Sequence, residues 1–341
     1  MSKNELKTKG LHHKWGNEYF VTAHDVGALE SYLSKMEAQP LLAQVIGWTD
    51  TSSPMTNCPT TSLSWPTPKP GLTVWALEGV ELKHIKFGDR LIGVSFEDEN
   101  ATYLRVGGVT PSPRLTPGKK AAEEVFSILC QALSEAGMDF SHVIRTWFFN
   151  DDILSWYDDF NAVRTAFFHE AGVFDCLVPA STGIGAANAF GAAMMTGLLA
   201  VKAKNNQTSA RRVPSPLQCS PRDYGSSFNR AVALRTPKTE RLFISGTASV
   251  APEGHTAHIG DLEKQIELTF EVVEAILAQC DMNWSHVSRS IAYLKTIEFN
   301  DEFNSFLVKK ELGQMPLLTT VGTICRDDLL FEIELDAIKE L

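Results

Sequence analysis

Helical and strand periodicities alternate along the second half of the chain. Apolar residues recur at helical spacing from about Asp261 to Gln279, which predicts an amphipathic helix packed against a core. Apolar, β-branched runs predict strands at Phe228–Leu234, Leu242–Ser245 and Val287–Leu294. A shorter helix is predicted from about Asp301 to Lys310.

The C-terminal segment carries strand patterning on both sides of a predicted turn. Thr319–Cys325 is rich in β-branched residues, and Arg326–Asp328 supplies the turn. Strict alternation follows, with Phe331, Ile333 and Leu335 on one face and Glu332, Glu334 and Asp336 on the other. The pattern predicts an antiparallel hairpin whose acidic face is in water. In the alternative interpretation, Cys325 and Glu332 line a pocket.

The first half of the chain shows a similar order of elements. Thr116 is predicted to cap a helix with Pro117 at its first position, and the apolar stripe of this helix continues to Gly137. The other predicted elements are strands at Leu91–Phe96, Tyr103–Val109 and Val143–Phe149, a helix over about Leu154–Ala171, and a buried strand ending at Lys202. The last of these lies in the apolar stretch 186–203, whose glycines favour a buried strand over a membrane span.

An internal repeat explains this similarity. A shift of 144 residues places His142 on His286 and Arg145 on Arg289, and a shift of 137 places Pro179 on Pro316. Each half is therefore predicted to be one β-β-α-β-α-β-β unit of roughly 115 residues, a usual domain size. The equivalence of the two histidines indicates a structural role at a helix-to-strand turn.

The repeat also sets the predicted domain organisation. We expect an N-terminal extension at 1–87, a first unit at 88–203, a linker at 204–223 and a second unit at 224–341. Within the extension, the segment Thr51–Gly71 is dense in Pro, Ser and Thr and is predicted to be loop. A few strands are expected around Val74–Phe87.

Composition narrows the classes of function. The 341 residues are 44% hydrophobic and 21% charged, which is ordinary for a globular protein. The net charge of −10 excludes a general nucleic-acid binder. The six cysteines form no CxxC pair and have no zinc-ligand spacing, so they are expected to be free thiols with no metal bound. With a polar N-terminus, this favours a cytoplasmic protein.

The second unit resembles the RidA/YjgF superfamily. FISGTASV (243–250) is similar to that family's strand and loop, and PLLTTVGTICRDDLLFEIELDAI (316–338) is similar to its closing segment. The resemblance implies an α+β, two-layer fold in which each sheet is packed by two helices. It also implies a pseudo-trimer-like arrangement, with an N-terminal extension in this chain. RidA deaminases carry an arginine where this chain has Leu318 and, in the first unit, Ser181, which disfavours imine hydrolysis.

A narrower resemblance, to the chorismatase family, covers roughly residues 90–341. It is carried by YDDFNAVRTAFF (157–168), PASTGIGAANAFG (179–191), DYGSSFNRA (223–231) and ICRDDLLFEIE (324–334). The resemblance implies an enzyme that removes the enolpyruvyl group of chorismate as pyruvate, without a cofactor. It also implies a small-molecule substrate and no nucleic acid or membrane partner. The expected state is a monomer or a small homo-oligomer.

Cleavage of an enol ether requires a general acid that is protonated at neutral pH. The resemblance places Glu332 in that role, whereas the alternation alone cannot choose between Glu332 and Glu334. Cys325 favours the type of chorismatase that forms 3-hydroxybenzoate, because the hydrolytic type lacks this cysteine. A small buried hydrophobe is the alternative interpretation of Cys325.

Chorismate carries two carboxylates, which arginine can bind through two parallel hydrogen bonds. The candidate substrate-binding residues are Arg145, Arg164, Tyr157, Tyr224, Arg230, Gly246, Thr247 and Ala248, with Arg289 as a further candidate arginine. Surface ion pairs, packing of the tyrosines and an ordinary β-bulge are the structural alternatives. The competing functions are a hydrolytic chorismatase giving 3,4-dihydroxycyclohexa-1,5-dienoate, a RidA-type imine or enamine hydrolase, and a non-catalytic metabolite-binding protein.

Overall fold

A computed structural model of the chain describes residues 6–47, 55 and 57–341. The described residues form three sheets with the same strand order and connections. The N-terminal sheet has the order β1-β2-β5-β3-β4. Its elements are β1 (Lys7–His13), β2 (Gly16–Ala23), α1 (Val26–Lys35), β3 (Gln39–Ile46), β4 (Thr60–Leu63) and β5 (Gly71–Glu78). The region predicted to be an N-terminal extension with a few strands therefore forms a complete sheet.

The middle sheet adds one further edge strand and a second helix. Its order is β10-β9-β11-β8-β7-β6. Its elements are β6 (Lys83–Phe87), β7 (Arg90–Glu97), β8 (Ala101–Val109), α2 (Lys119–Glu135), β9 (Val143–Asn150), α3 (Ile153–Glu170), β10 (Ala180–Gly185) and β11 (Met194–Ala203). The buried strand predicted to end at Lys202 is β11, whose first eight residues are buried.

The C-terminal sheet has the order β12-β13-β14-β17-β15-β16. Its elements are β12 (Ser209–Val213), β13 (Ala231–Arg235), β14 (Thr239–Ala248), α4 (Leu262–Ala278), β15 (Val287–Leu294), α5 (Asn300–Lys309), β16 (Leu317–Val321) and β17 (Phe331–Glu340). Asp261 caps α4 by accepting a hydrogen bond from the Lys264 amide at 3.1 Å. The helix therefore begins where the sequence predicts it.

Each sheet packs one face against its own helices and turns its opposite face towards the centre of the molecule. Separate clusters join α1 to the N-terminal sheet, α2 and α3 to the middle sheet, and α4 and α5 to the C-terminal sheet. A fourth, central cluster combines side chains from all three sheets, including Leu41, Trp147 and Tyr293. The predicted α+β class with a pseudo-trimer-like arrangement is confirmed.

The predicted C-terminal hairpin is wrong. β16 pairs in parallel with β15, and β17 pairs antiparallel with the opposite edge of β15. β16 ends at Val321 because the next residues turn towards the middle sheet, where the Gly185 amide donates to the Thr323 carbonyl at 2.7 Å. The acidic face of β17 is also not in water, since Glu332 and Glu334 are buried between sheets.

Three local predictions need correction. The helix predicted from Thr116 begins at Lys119, after Gly118, whose φ of 148° is rarely adopted by other residues. The predicted linker 204–223 contains the edge strand β12. The loop predicted at Thr51–Gly71 contains β4, while its residues 51–54 and 56 lie outside the described part of the chain.

The two repeat-related histidines have the predicted structural role. Each closes a short 3-10 turn before a strand, in a capping box with Asp139 for His142 and with Asn283 for His286. No helix in the described ranges is both long and apolar enough to cross a membrane.

Candidate active site

A cavity of about 800 Å³ lies between the middle and C-terminal sheets. The middle sheet contributes residues of α3 and β10, and the C-terminal sheet contributes β14, β17 and the segments before β13 and before β17. Of the residues proposed from sequence, the structure brings together Tyr157, Arg164, Tyr224, Arg230, Gly246, Ala248, Cys325 and Glu332. Arg145 and Thr247 do not line the cavity.

Glu332 is the carboxyl that the cavity exposes to a ligand. It lies on β17, opposite Tyr293 of β15 and Ala248 of β14. Burial and the nearby charge of Glu334 raise the pKa of Glu332 to about 8, although Arg145 and Arg230 oppose the shift. A carboxyl in such surroundings keeps its proton at neutral pH and can act as a general acid.

Glu334 has the opposite electrostatic environment. Burial alone would raise its pKa, but the guanidinium groups of Arg289 and Arg145 lower it below its usual value. Arg145 Nη2 lies 2.6 Å from Glu334 Oε2, and Arg289 Nη2 pairs with the other carboxylate oxygen. Glu334 is therefore a buried anion held between two arginines.

This pairing corrects the roles predicted for Arg145 and Arg289. Arg145 is fully buried and bonded to Glu334, so it is not free to hold a substrate carboxylate. Arg289 bonds to Glu334 and to Gln44 of the N-terminal sheet. Both arginines were candidates for binding the substrate carboxylates, whereas tertiary packing places them in a buried ion-pair network.

Three arginines line the cavity without a carboxylate partner among the described residues. One of them, Arg326, donates from Nη1 to the Gly254 carbonyl at 2.8 Å. Arg230 donates from Nε to the Cys219 carbonyl at 3.2 Å, and its buried Nη2 has no protein partner. Arg164 donates from Nη2 to Asn161 Oδ1 at 2.6 Å. Since guanidinium groups stay charged, these side chains give the cavity affinity for an anionic ligand.

Residues 245 and 246 form a β-bulge opposite Glu334. The register of β14 against β17 shifts between Ile244 and Thr247. A Cβ added to Gly246 would stand 2.0 Å from Glu332 Oε1, so glycine is required for the carboxyl to occupy its place. The Thr247 hydroxyl turns away and donates to the Ser245 carbonyl at 2.8 Å, which corrects its predicted ligand role.

Cys325 lies at the cavity wall beside Tyr157. Burial and the proximity of Glu332 raise the pKa of the Cys325 thiol to about 12. Burial and Cys325 likewise raise the pKa of the Tyr157 hydroxyl. Both groups are therefore protonated at neutral pH, and Cys325 is not a thiolate nucleophile.

Sequence reasoning missed two residues of this region. Ser181 lines the cavity at the position of the RidA arginine, and its amide donates to Ser245 Oγ at 2.8 Å. Thr182 connects Glu334, Arg145 and Gly246 by hydrogen bonds. Both lie in the motif PASTGIG, but only the packing of β10 against β14 of the C-terminal sheet shows these contacts.

The described residues contain no group of three or more His, Cys, Asp or Glu side chains that could hold a metal ion. The cavity lining thus combines the protonated Glu332 carboxyl, the Asp158 side chain, three guanidinium groups without a carboxylate partner, and neutral hydroxyl and thiol donors.

Comparison with known proteins gives this arrangement a context. The fold resembles a crystal structure of a chorismatase, with a TM-score of 0.69 over 87% of this chain and 92% of that chain, at 22% sequence identity. In sequence, the chain is 28% identical over 293 residues to a 3-hydroxybenzoate synthase from Streptomyces hygroscopicus. That alignment covers 79% of this chain and 82% of the relative.

A second relative is a chorismatase from Streptomyces rapamycinicus, 26% identical over 219 residues that span 58% of this chain and 64% of the relative. No protein-family model matches the chain. The resemblance to chorismatases indicated by the sequence motifs is confirmed, both in fold and in sequence.

Proposed function

We propose that the protein is a chorismatase that converts chorismate to pyruvate and 3-hydroxybenzoate, with Glu332 as the general acid. The observation that carries the proposal is the protonated Glu332 carboxyl, which faces a cavity lined by three arginines that have no carboxylate partner among the described residues. The similarity to a protein named 3-hydroxybenzoate synthase supports this choice of product.

Substrate binding follows from the charges. Arg230 and Arg164 each receive one carboxylate of chorismate, since a guanidinium group forms two parallel hydrogen bonds with a carboxylate. The Tyr157 and Tyr224 hydroxyls line the same cavity and are protonated donors. Binding of the dianion places negative charge near Glu332, which further favours the protonated carboxyl.

The chemical step begins with proton transfer from Glu332 to the terminal methylene carbon of the enolpyruvyl group, which creates an oxocarbenium ion. The neighbouring ring hydroxyl then bonds to the ring carbon that carries the ether. The ether C–O bond breaks, and its electron pair completes the carbonyl of pyruvate. The hydroxyl proton returns to the Glu332 carboxylate, which leaves an epoxide across the two ring carbons. The bond between the epoxide oxygen and the carbon that first carried the hydroxyl then breaks. Loss of the proton from the other carbon restores aromaticity, and a proton added to the oxygen completes the phenol. No water is consumed.

Cys325 and Tyr157 close the cavity wall around Glu332. We propose that they exclude water from the cation, because water attack there would give 3,4-dihydroxycyclohexa-1,5-dienoate instead. This hydrolytic reaction is the second candidate function, and the same protonated carboxyl would serve it.

The test is incubation of the purified protein with chorismate, with pyruvate release coupled to lactate dehydrogenase. We expect saturable pyruvate release and 3-hydroxybenzoate as the aromatic product by chromatography. Release no faster than the uncatalysed rate would leave an imine or enamine hydrolase or a metabolite-binding protein as the function. The dihydroxylated acid as main product would assign the hydrolytic type.

We further propose that the chain works as a monomer or small homo-oligomer in the cytoplasm. The three sheets share a central core within one chain, and all six cysteines are free, as is usual in a reducing compartment. Light scattering on a sizing column tests the first point, and fractionation of the source cells tests the second.

A further inference from the structure

The hydroxyl of Thr182 takes part in three hydrogen bonds. Thr182 lies on β10, fully buried between the middle and C-terminal sheets. Its hydroxyl donates to Glu334 Oε2 and accepts from Arg145 Nη2 at 2.7 Å and from the Gly246 amide at 3.1 Å. A hydroxyl offers one donor and two acceptor positions, so all three are in use.

The Gly246 amide is the peptide group against which the Glu332 carboxyl packs. The position of an added Cβ on Gly246 would be 2.0 Å from Glu332 Oε1 and 3.4 Å from the Thr182 methyl group. Burial and the charge of Glu334 raise the pKa of Glu332, and the charges of Arg145 and Arg230 oppose this shift. The Gly246 amide, beside the carboxyl, donates instead to Thr182 Oγ1 at 3.1 Å.

We propose that Thr182 is a positioning residue for Glu332, because its hydroxyl holds the Gly246 N–H away from the carboxyl that must give up a proton. This role rests on the proposed function. A peptide N–H that bonds a carboxylate stabilises the charged form and lowers the pKa. By accepting that N–H, Thr182 keeps the carboxyl protonated, and by bonding Glu334 it connects the bulge to the buried anion.

The chain contains the same bond at a place with no acid. At the contact of the N-terminal and middle sheets, the Gly108 amide donates to Thr61 Oγ1 at 3.2 Å. There Met195 of β11 lies opposite Phe149, as Glu332 of β17 lies opposite Tyr293. A threonine–glycine bond alone is therefore part of the scaffold. The threonine–glycine bond can affect catalysis only at Thr182, because only there does a carboxyl pack against the glycine.

The test compares Thr182→Val, Thr182→Ser and Thr61→Val in the full chain, with the pH dependence of kcat as the main measurement. Thr182→Val frees the Gly246 N–H, so we expect the loss of activity at high pH to begin about one pH unit lower than in the parent protein. The lower pKa leaves about half of the acid protonated at pH 7, so we expect about twofold lower kcat there and roughly tenfold lower kcat at pH 9, with KM unchanged. Thr182→Ser retains the hydroxyl and the parent profile.

Thr61→Val is the matched control, since it removes the equivalent bond far from the acid. We expect a lower melting temperature and an unchanged pH profile. A Thr182→Val profile that matches the parent, or an equal shift in Thr61→Val, overturns the proposal. If Thr182→Val does not fold, Thr182→Ala removes the same hydroxyl with less bulk and carries the same expectation.

A second measurement separates this proposal from the proposed function. Carboxyl ¹³C NMR of glutamate-labelled protein, with Glu332→Gln to assign the signal, follows the titration of Glu332 without substrate. A lower titration midpoint in Thr182→Val supports the positioning role even if chorismate is not cleaved. An unchanged midpoint rejects it even if chorismate is cleaved.

Discussion

Glu332 and Glu334 lie two residues apart on one face of β17, yet they hold opposite protonation states at neutral pH. Burial and the charge of Glu334 raise the pKa of Glu332 to about 8, while Arg289 and Arg145 overcome burial and lower that of Glu334. The two carboxyls therefore have different roles: Glu332 is suited to donate a proton, and Glu334 is a fixed buried anion.

Replacement of the proton donor removes the chemistry. Glu332→Gln is expected to lower kcat for pyruvate release by about 10²- to 10⁴-fold, the usual contribution of a general acid. Glutamine is similar in size and neutral, as the protonated carboxyl is, so circular dichroism and the melting temperature should stay close to the parent. Full activity in this variant would falsify the assignment of Glu332.

The pH dependence has a definite sign. Glu332 is active when protonated, so kcat should be level at neutral pH and fall about tenfold per pH unit above about pH 8. A rate that instead rises through this range would mean that the catalytic group acts as a base. Stopped-flow pyruvate assays in buffers of constant ionic strength measure the profile.

The same carboxyl makes folding stability depend on pH. Its pKa is about 8 in the folded chain and near 4.5 when unfolded, so the folded state binds more protons between these values. Stability is therefore greatest below the lower value and declines as pH rises towards 8, by up to about 1.4 kcal/mol per unit. Denaturation at several pH values should show a smaller decline in Glu332→Gln.

Arg230 is predicted to bind substrate through the part of its guanidinium group that has no protein partner. Its Nη2 has no protein partner, so Arg230→Gln should raise KM for chorismate by roughly 10- to 100-fold, the value of a charged hydrogen bond. Arg222→Gln is the control, because this exposed arginine lies outside the cavity. Equal KM values in the two variants would show that the substrate carboxylate binds elsewhere.

The Cys325 side chain is predicted to influence the product. Cys325→Ala enlarges the cavity wall beside Glu332, so water gains access to the cation. We expect part of the product to become the dihydroxycyclohexadienoate while total pyruvate release continues. Chromatography of the acids measures the ratio. A product mixture identical to that of the parent would restrict Cys325 to packing.

The buried anion is predicted to be essential for stability. Glu334→Gln leaves Arg145 and Arg289 without their counter-ion, and loss of one partner from a buried pair costs about 3–5 kcal/mol. Thermal melts should show a clear decrease in melting temperature. Glu97→Gln, at an exposed pair with Lys204, is expected to melt like the parent.

Local pattern predicted much of the fold, because amphipathic periodicity and caps are encoded in neighbouring residues. The α4 helix and β15 are confirmed nearly to the residue. Strand partners were not predictable in the same way. The order of β16 and β17 around β15 depends on parallel pairing across a helix, and a strand–turn–strand pattern cannot distinguish this from a hairpin.

The same distinction between local signals and long-range contacts applies to the candidate site. Resemblance of motifs identified Glu332 and the cavity arginines, since these residues follow recognisable sequence signals. The pairing of Arg145 with Glu334 joins side chains 189 positions apart, and nothing near either residue indicates it. The N-terminal sheet was predicted only in part: strands were expected around Val74–Phe87, whereas β4 lies in the segment Thr51–Gly71, whose Pro, Ser and Thr content predicted a loop.

Three sheets joined in one polypeptide have a genetic consequence. In a symmetric assembly of identical subunits, one substitution appears at every interface at once. Here the positions opposite Tyr293, Phe149 and Ile46 are Glu332, Met195 and Gly71, each encoded by its own codon. A substitution can therefore change any one of these three positions alone, and of the three only the position opposite Tyr293 carries an acid.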